Sequence, residues 1–460
     1  MALFNRIALR AFHQSRGRID RFKLAGRADV KAILLADPDI ATAVSEHVAE
    51  HGISEAEAWL RVRGYIDEIV PFFNILTYYK IGIVVSRSLL NLFYKVSAEF
   101  ATEPPTELPR DSIVIYLMNH RSNADYVLIG YVLSGRVAIS YAVGEWARVF
   151  PLEYIFKSFG AYFIRRRYRE RLYHTVLERY VQLITRHGVT QGIFLEGGLT
   201  RDGKLGTAKI GLLDYLLGVA RDPVMKERLH VVPVAINYDR VLEDRSLLRE
   251  LDAREGRRRA PLHAQLGEVL RYVWWNLARL VFRRWKRYGR AAVVIGEPFR
   301  LAPWIDQQDL ETGGLFKLDR SERLARVQAL SDNVLGRIAA IVPVTPVPLA
   351  CAAIQSFESD FIPHSSLVAR MGEMRDALKE LNARVIYGEG SIDETFDRAW
   401  KMLRMRRVLA RLGEGYAVLP AGRALISYYA NSIAHLLGPF ADGVRQRDTL
   451  PGLGLMKEST

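Results

Sequence analysis

The chain has a single cysteine, Cys351, in 460 residues. No disulfide can form within it, which fits a reducing compartment. Cys351 lies in the apolar stretch PLACAAI, where a free thiol serves as a small core residue rather than a nucleophile. Long apolar runs are missing too. The most hydrophobic stretch, Ile69 to Val96, is broken by Lys80 and Arg87, and its longest charge-free run, Ile69 to Tyr79, is 11 residues. A spanning helix needs about 20. The stretch is therefore expected to form a helix or helix pair that is buried or lies in a membrane interface. The opening residues, MALFNRIALRAFHQSRGRID, are basic and amphipathic but lack the apolar core and small-residue cleavage site of a secretory signal. No RNA- or DNA-binding signature is present, so nucleic acid is not an expected partner.

Negative charge falls short of positive: 51 acidic against 65 basic side chains leave a net charge of +14. The excess is concentrated in Arg165-Arg166-Arg167-Tyr168-Arg169, in Arg257-Arg258-Arg259 and in Arg283-Arg284-Trp285-Lys286-Arg287. Such a surface attracts phosphates, acidic headgroups or other anions. The clusters alternate with large apolar residues, as in RYVWWNLARLVFRRWKRYG (Arg271 to Gly289), a pattern suited to an anionic membrane surface. A helix with a solvated basic face reads almost the same.

An apolar fraction of 49% supports a substantial core, and the length suits two or three domains. Residues 1–100 read as a helical, partly membrane-facing region, with helix starts at Asp37-Pro38 and at Ser54 with Glu57 in capping-box position. The proline-rich ATEPPTELPRDS (Ala101 to Ser112) marks a boundary. In 101–300 the apolar runs SIVIYLM, VAISYAV, AYFIR, GIFLE, HVVPVAINY and AAVVIG alternate with helical patterns. That rhythm predicts an α/β domain, a mixed sheet covered by helices. Residues 301–460 read as a helical C-terminal region.

Four strand ends in the central region carry chemistry. After SIVIYLM comes NHRSNADY, which sets His120 and Asp125 five residues apart. This is a general base with an orienting carboxylate, or a Ser122-x-x-Asp125 capping box, and the two are compatible. GAYFIRR ends in Arg165 and Arg166, which suit a phosphate. Because neighbours on a strand face opposite ways, Arg166 is expected to matter more than Arg165. In EGGLTRDGK, Glu196 ends a strand and leads into a loop with Gly197, Arg201 and Lys204, an anion-binding composition. Gly198 to Lys204 almost matches a nucleotide-binding P-loop, but the position that needs Ser or Thr for magnesium is Leu205. The fourth block, VVPVAINY, holds an internal proline, Pro233, which implies an edge strand or a local distortion.

In order and spacing these blocks resemble the four motifs of the glycerolipid acyltransferases, closest to the glycerol-3-phosphate 1-O-acyltransferase and dihydroxyacetone-phosphate acyltransferase branch. NHRSNADY is similar to its His-x4-Asp motif, GAYFIRR to GAFFIRR, EGGLTR to Glu-Gly-Gly-Arg-Ser-Arg, and VVPVAI to its proline motif. Leu199 stands where the family has the first arginine of its third motif, and Thr200 where it has serine. The resemblance implies that His120 takes a proton from an acceptor hydroxyl and Asp125 orients the ring. It implies that Arg165, Arg166, Arg201 and Lys204 bind the acceptor phosphate, with Glu196 and Gly197 in the same acceptor site. The expected reaction moves an acyl group from acyl-CoA or acyl-carrier protein to the sn-1 hydroxyl of glycerol 3-phosphate, giving lysophosphatidic acid. Dihydroxyacetone phosphate, a lysophospholipid, or a silent lipid- or anion-binding role are the alternatives. Neither a metal nor a cofactor is expected, and because a thioester is already activated no covalent enzyme intermediate is required. The implied location is peripheral or monotopic, on the cytoplasmic face of the inner membrane.

Overall fold

A computed structural model describes residues 26–72, 83–102, 108–133, 139–144, 148, 152–165, 168–254 and 287–440. Its centre is an eight-stranded sheet made of β1 (Lys95–Phe100), β2 (Ile113–Met118), β3 (Ser140–Gly144), β4 (Tyr162–Ile164), β5 (Gln191–Phe194), β6 (Leu229–Tyr238), β7 (Arg290–Ile295) and β8 (Phe299–Arg300). The order across the sheet is β1-β7-β6-β2-β5-β3-β4, with β8 against one end of β6. From β6 to β4 the strands run parallel; β7 and β1 run the other way. The sheet is mixed and covered by helices, as the alternation of apolar runs predicts.

The parallel strands are apolar on both faces because both are covered. On β2, Ile113, Ile115 and Leu117 join a core that includes Leu172, Val176 and Tyr180 of the Arg171–Arg186 helix, Ile66 of the Glu55–Ile69 helix and Val334 of the Arg320–Ala340 helix. Val114 and Met118 point the other way, into a core with Leu128 and Ile129 of the Asp125–Val132 helix, Ala350 of the Pro346–Gln355 helix and Tyr428 of the Arg423–Asn431 helix. The N-terminal helices thus cover one face together with the Arg320–Ala340 helix, and the later C-terminal helices cover the other. Both expected helix starts form: Asp37 accepts from the Asp39 and Ile40 amides at 3.0 and 3.3 Å, and Ser54 from Glu57 at 3.2 Å.

Chain order parts the connections of two neighbouring strands. After β2 the chain enters the Asp125–Val132 helix on the C-terminal face, whereas after β5 it enters the Gly211–Leu217 helix on the opposite face. These two strands are neighbours. Their connections diverge at the strands' carboxyl ends, the place where open α/β sheets bind ligands.

Three features differ from the sequence reading. Lys95–Phe100, inside the region read as helical, is a strand paired with β7; it is an edge strand of partly exposed residues, so it lacks the apolar signal of a buried one. The C-terminal region holds a second, three-stranded sheet of β9 (Phe361–Pro363), β10 (Leu409–Leu412) and β11 (Gly415–Val418), whose strands are too short for periodicity to register. Pro233 lies on neither edge. It sits where β6 changes partner from β8 (at His230 and Val231) to β7 (from Val234 onward), so its missing N–H falls in the gap between two ladders.

Among the described residues no helix is long and apolar enough to cross a membrane. Arg257 to Arg259 and nearly all of the Arg271 to Gly289 segment lie outside them.

Candidate active site

His120 is the second residue after β2. Asn119 fixes its place by continuing the ladder with a side chain: its Nδ2 donates to the Ile236 carbonyl (3.0 Å), and the Ile236 amide donates to Oδ1 (2.8 Å). The His120 amide donates to Glu196 Oε1 at 2.9 Å, and its carbonyl accepts from the Thr200 amide at 3.3 Å. The imidazole stacks on Phe194 (centroids 4.0 Å apart, 22° between planes) and meets the edge of Tyr126. Position and ring plane are therefore set by three strand ends.

The ring pairs with Asp125: Nδ1 lies 2.9 Å from Oδ2. The aspartate is fully buried and accepts from every side. Oδ2 also takes the Arg121 and Ser122 amides at 2.7 and 3.0 Å, and Oδ1 takes the Tyr238 hydroxyl at 2.6 Å. The bond from the Ser122 amide belongs to the capping-box reading, so one carboxylate closes the turn and orients the imidazole. With Nδ1 on a carboxylate, the neutral ring carries its proton there and leaves Nε2 as the base. Among the described residues nothing hydrogen-bonds Nε2.

Behind the turn stands Glu243. It accepts from the Ser122 hydroxyl (2.7 Å) and the Asn123 amide (3.2 Å). Burial pushes its carboxyl up to about 7, and the Asp125 charge adds to the shift.

The glycine-rich loop wraps around this centre. Glu196 joins the His120 amide to the Gly206 amide (2.8 Å), so its carboxylate is a strut between loop and dyad. Burial raises its pKa, against the pull of the His120 N–H and the Arg121 charge. Gly197 has φ +62°, and a Cβ there would meet Lys209. Arg201 pairs with Glu250 at 3.1 Å and is partly exposed; Lys204 is exposed. Leu199 packs against the apolar core instead of offering a charge.

The loop thus brings Glu196 against the His120 amide, while Arg201 is paired with Glu250 and Lys204 is exposed. Arg165 is engaged elsewhere. Its guanidinium grips Glu68 of the Glu55–Ile69 helix with contacts of 2.5 to 3.0 Å and sits among the rings of Tyr65, Tyr168 and Tyr173. A phosphate would have to displace a buried carboxylate, which speaks against a binding role there. Arg166 lies outside the described residues. Cys351 is buried, and burial pushes its thiol up, so it is no nucleophile.

Comparison with known proteins meets this geometry. Residues 100–237 match the family model described as Acyltransferase, and residues 274–441 match the one described as Glycerol-3-phosphate acyltransferase C-terminal region. Both regions are thus similar to acyltransferases, the second to glycerol-3-phosphate acyltransferases in particular. Proteins named glycerol-3-phosphate acyltransferase are similar along most of the chain: the one from Aeromonas hydrophila is 27% identical over 90% of this chain and 50% of its own length, and that of Pasteurella multocida 25% over 92% and 52%. The chain spans about half the length of the curated relatives it matches. A solved 1-acyl-sn-glycerophosphate acyltransferase from Thermotoga maritima aligns with 56% of this chain and 77% of its own, at 18% identity and a TM-score of 0.31. So low a score carries no weight here.

Sequence reasoning missed Asn119, Tyr238 and Glu243, which hold the dyad. Tyr238 and Glu243 lie between the two segments matched as family regions. Tyr238 closes the proline-containing strand, and that position at a strand's carboxyl end was the available signal.

Proposed function

We propose that the protein transfers a fatty acyl group from acyl-CoA or acyl-carrier protein to the sn-1 hydroxyl of glycerol 3-phosphate, producing lysophosphatidic acid. The carrying observation is the His120 imidazole, bound at Nδ1 by a carboxylate that accepts three further hydrogen bonds, without a hydrogen-bond partner at Nε2 among the described residues, and bordered by a glycine loop bearing Arg201 and Lys204. Nε2 removes the hydroxyl proton as the alkoxide attacks the thioester carbonyl. The tetrahedral oxyanion then collapses, the C–S bond breaks, and the thiolate takes the proton back from the imidazolium. No covalent enzyme intermediate and no cofactor enters the balance. Arg201 and Lys204, with Arg166, supply the positive field for the acceptor phosphate.

The basic clusters, interleaved with tryptophan and other apolar side chains, support docking on the cytoplasmic face of an anionic membrane. Flotation with anionic liposomes should succeed at low salt and fail at high salt.

The deciding assay incubates purified protein with labelled acyl-CoA and, separately, glycerol 3-phosphate, dihydroxyacetone phosphate and a lysophospholipid, with His120→Ala as control. Labelled lysophosphatidic acid that vanishes in the variant supports the reading. A different acylated product reassigns the acceptor, and no product with any of them refutes the reading.

A further inference from the structure

Beside the dyad, one cation is unlike the others. Arg121 is 1% exposed, yet among the described residues no carboxylate pairs with it. Its guanidinium donates to two carbonyls from distant parts of the chain: Gly203 in the glycine loop and Ser432 (3.2 Å), just beyond the Arg423–Asn431 helix. Its Nε is buried without a partner. A guanidinium is expensive to bury, but its rigid fork can hold two carbonyls in a fixed relation, which a lysine ammonium cannot.

The same two segments meet twice more. Asn431 Nδ2 donates to the Asp202 carbonyl at 2.9 Å. Gly203 has φ +85° and lies so close to the helix that a Cβ would stand 1.9 Å from the Tyr428 carbonyl oxygen. The helix end is anchored in turn to the sheet, because Asn237 of β6 donates to Ser432 Oγ at 3.2 Å.

We propose that Arg121 is a positioning residue that locks the glycine loop onto the end of the Arg423–Asn431 helix, making the C-terminal region part of the acceptor site. The proposal rests on the reading that this loop holds the acceptor. Arg121 does not touch substrate; it acts through the loop, whose amides and cations are aimed only while Gly203 and Asp202 are held.

The test uses the full chain as Arg121→Gln, Arg121→Lys, Asn431→Ala and the Arg121→Gln/Asn431→Ala pair. Two readouts apply: hydrogen exchange of the amides at 199–206, and KM for glycerol 3-phosphate against KM for acyl-CoA. Arg121→Gln and Asn431→Ala should each speed loop exchange and raise the acceptor KM by about fivefold, the scale of one lost hydrogen bond, with the acyl-CoA KM unchanged. Arg121→Lys should recover only part, and the pair should be little worse than Arg121→Gln alone, because both side chains hold one loop. Unchanged exchange in folded variants, or additive effects, overturns the lock. If Arg121→Gln does not fold, Asn431→Ala and Gly203→Ala decide by the same two readouts. Faster exchange with both KM values unchanged keeps the lock and refutes the acceptor role of the loop.

Discussion

Asp125→Asn separates charge from architecture at the dyad. Asp125 receives four hydrogen bonds in full burial. An asparagine turned with its oxygen toward the Arg121 and Ser122 amides keeps both, and its NH2 can donate to the Tyr238 oxygen. The turn is retained, and destabilisation should stay within about 1–2 kcal/mol, the worth of one or two altered hydrogen bonds. Asp125→Ala is a poor substitute: it strands two amides and a hydroxyl at about 1–3 kcal/mol each, a large share of the roughly 5–15 kcal/mol that holds a domain together. What the amide cannot do is stabilise an imidazolium. Its loss should lower kcat by about 10³- to 10⁴-fold, roughly 4–5.5 kcal/mol of barrier, with both KM values within a few-fold. The assay is thiol release from acyl-CoA at saturating glycerol 3-phosphate, run beside a thermal melt of the same sample. A folded Asp125→Asn enzyme with kcat within tenfold of the parent would refute the dyad.

Other outcomes follow from neighbouring contacts. Tyr238→Phe removes a 2.6 Å donor to Asp125 without disturbing the ring, and should cost about 1–2 kcal/mol in denaturant unfolding together with a several-fold fall in kcat; an unchanged kcat would detach Tyr238 from the dyad. Glu243 has a carboxyl raised to about 7, so its contribution is greatest below its unfolded value and declines as pH rises through neutrality. The stability of the parent relative to Glu243→Gln should accordingly fall between about pH 4.5 and 8, by no more than about 3 kcal/mol; a rise over that range contradicts the assignment. Arg165→Ala should lower the melting temperature, because among the described residues buried Glu68 then keeps only Arg148 (2.9 Å), and leave the acceptor KM unchanged; a raised KM with no melting shift would restore Arg165 to the phosphate site.

The local parts of this site could be read from the chain, and the non-local parts could not. His120 and Asp125 lie in one turn, so a strand run ending in His-x4-Asp announces both. The glycine loop is likewise continuous, so its glycines and cations stand out together in the chain. Arg165 misled because its pattern is that of a phosphate ligand, while its actual partner, Glu68, lies 97 residues away. The partners of the dyad are equally remote: Tyr238 lies 113 residues from Asp125, and Ser432 lies 311 from Arg121. Nothing in the sequence around Asn431 or Ser432 names the glycine loop as their partner. The sheet followed the same logic. Buried parallel strands announce themselves by apolar runs, whereas partly exposed Lys95–Phe100 depends on β7, nearly two hundred residues later, for its pairing.

Asp125 already receives four hydrogen bonds, and in this arrangement the carboxylate orients and stabilises the imidazolium rather than taking the proton itself. A hydrogen taken by His120 has a single exit, back through Nε2. Alcohol and leaving thiol must then visit the same edge of the imidazole within one turnover, both aboard before either departs. Initial-rate plots should intersect, the mark of a sequential ternary complex, and no acyl-enzyme should accumulate when the acceptor is withheld.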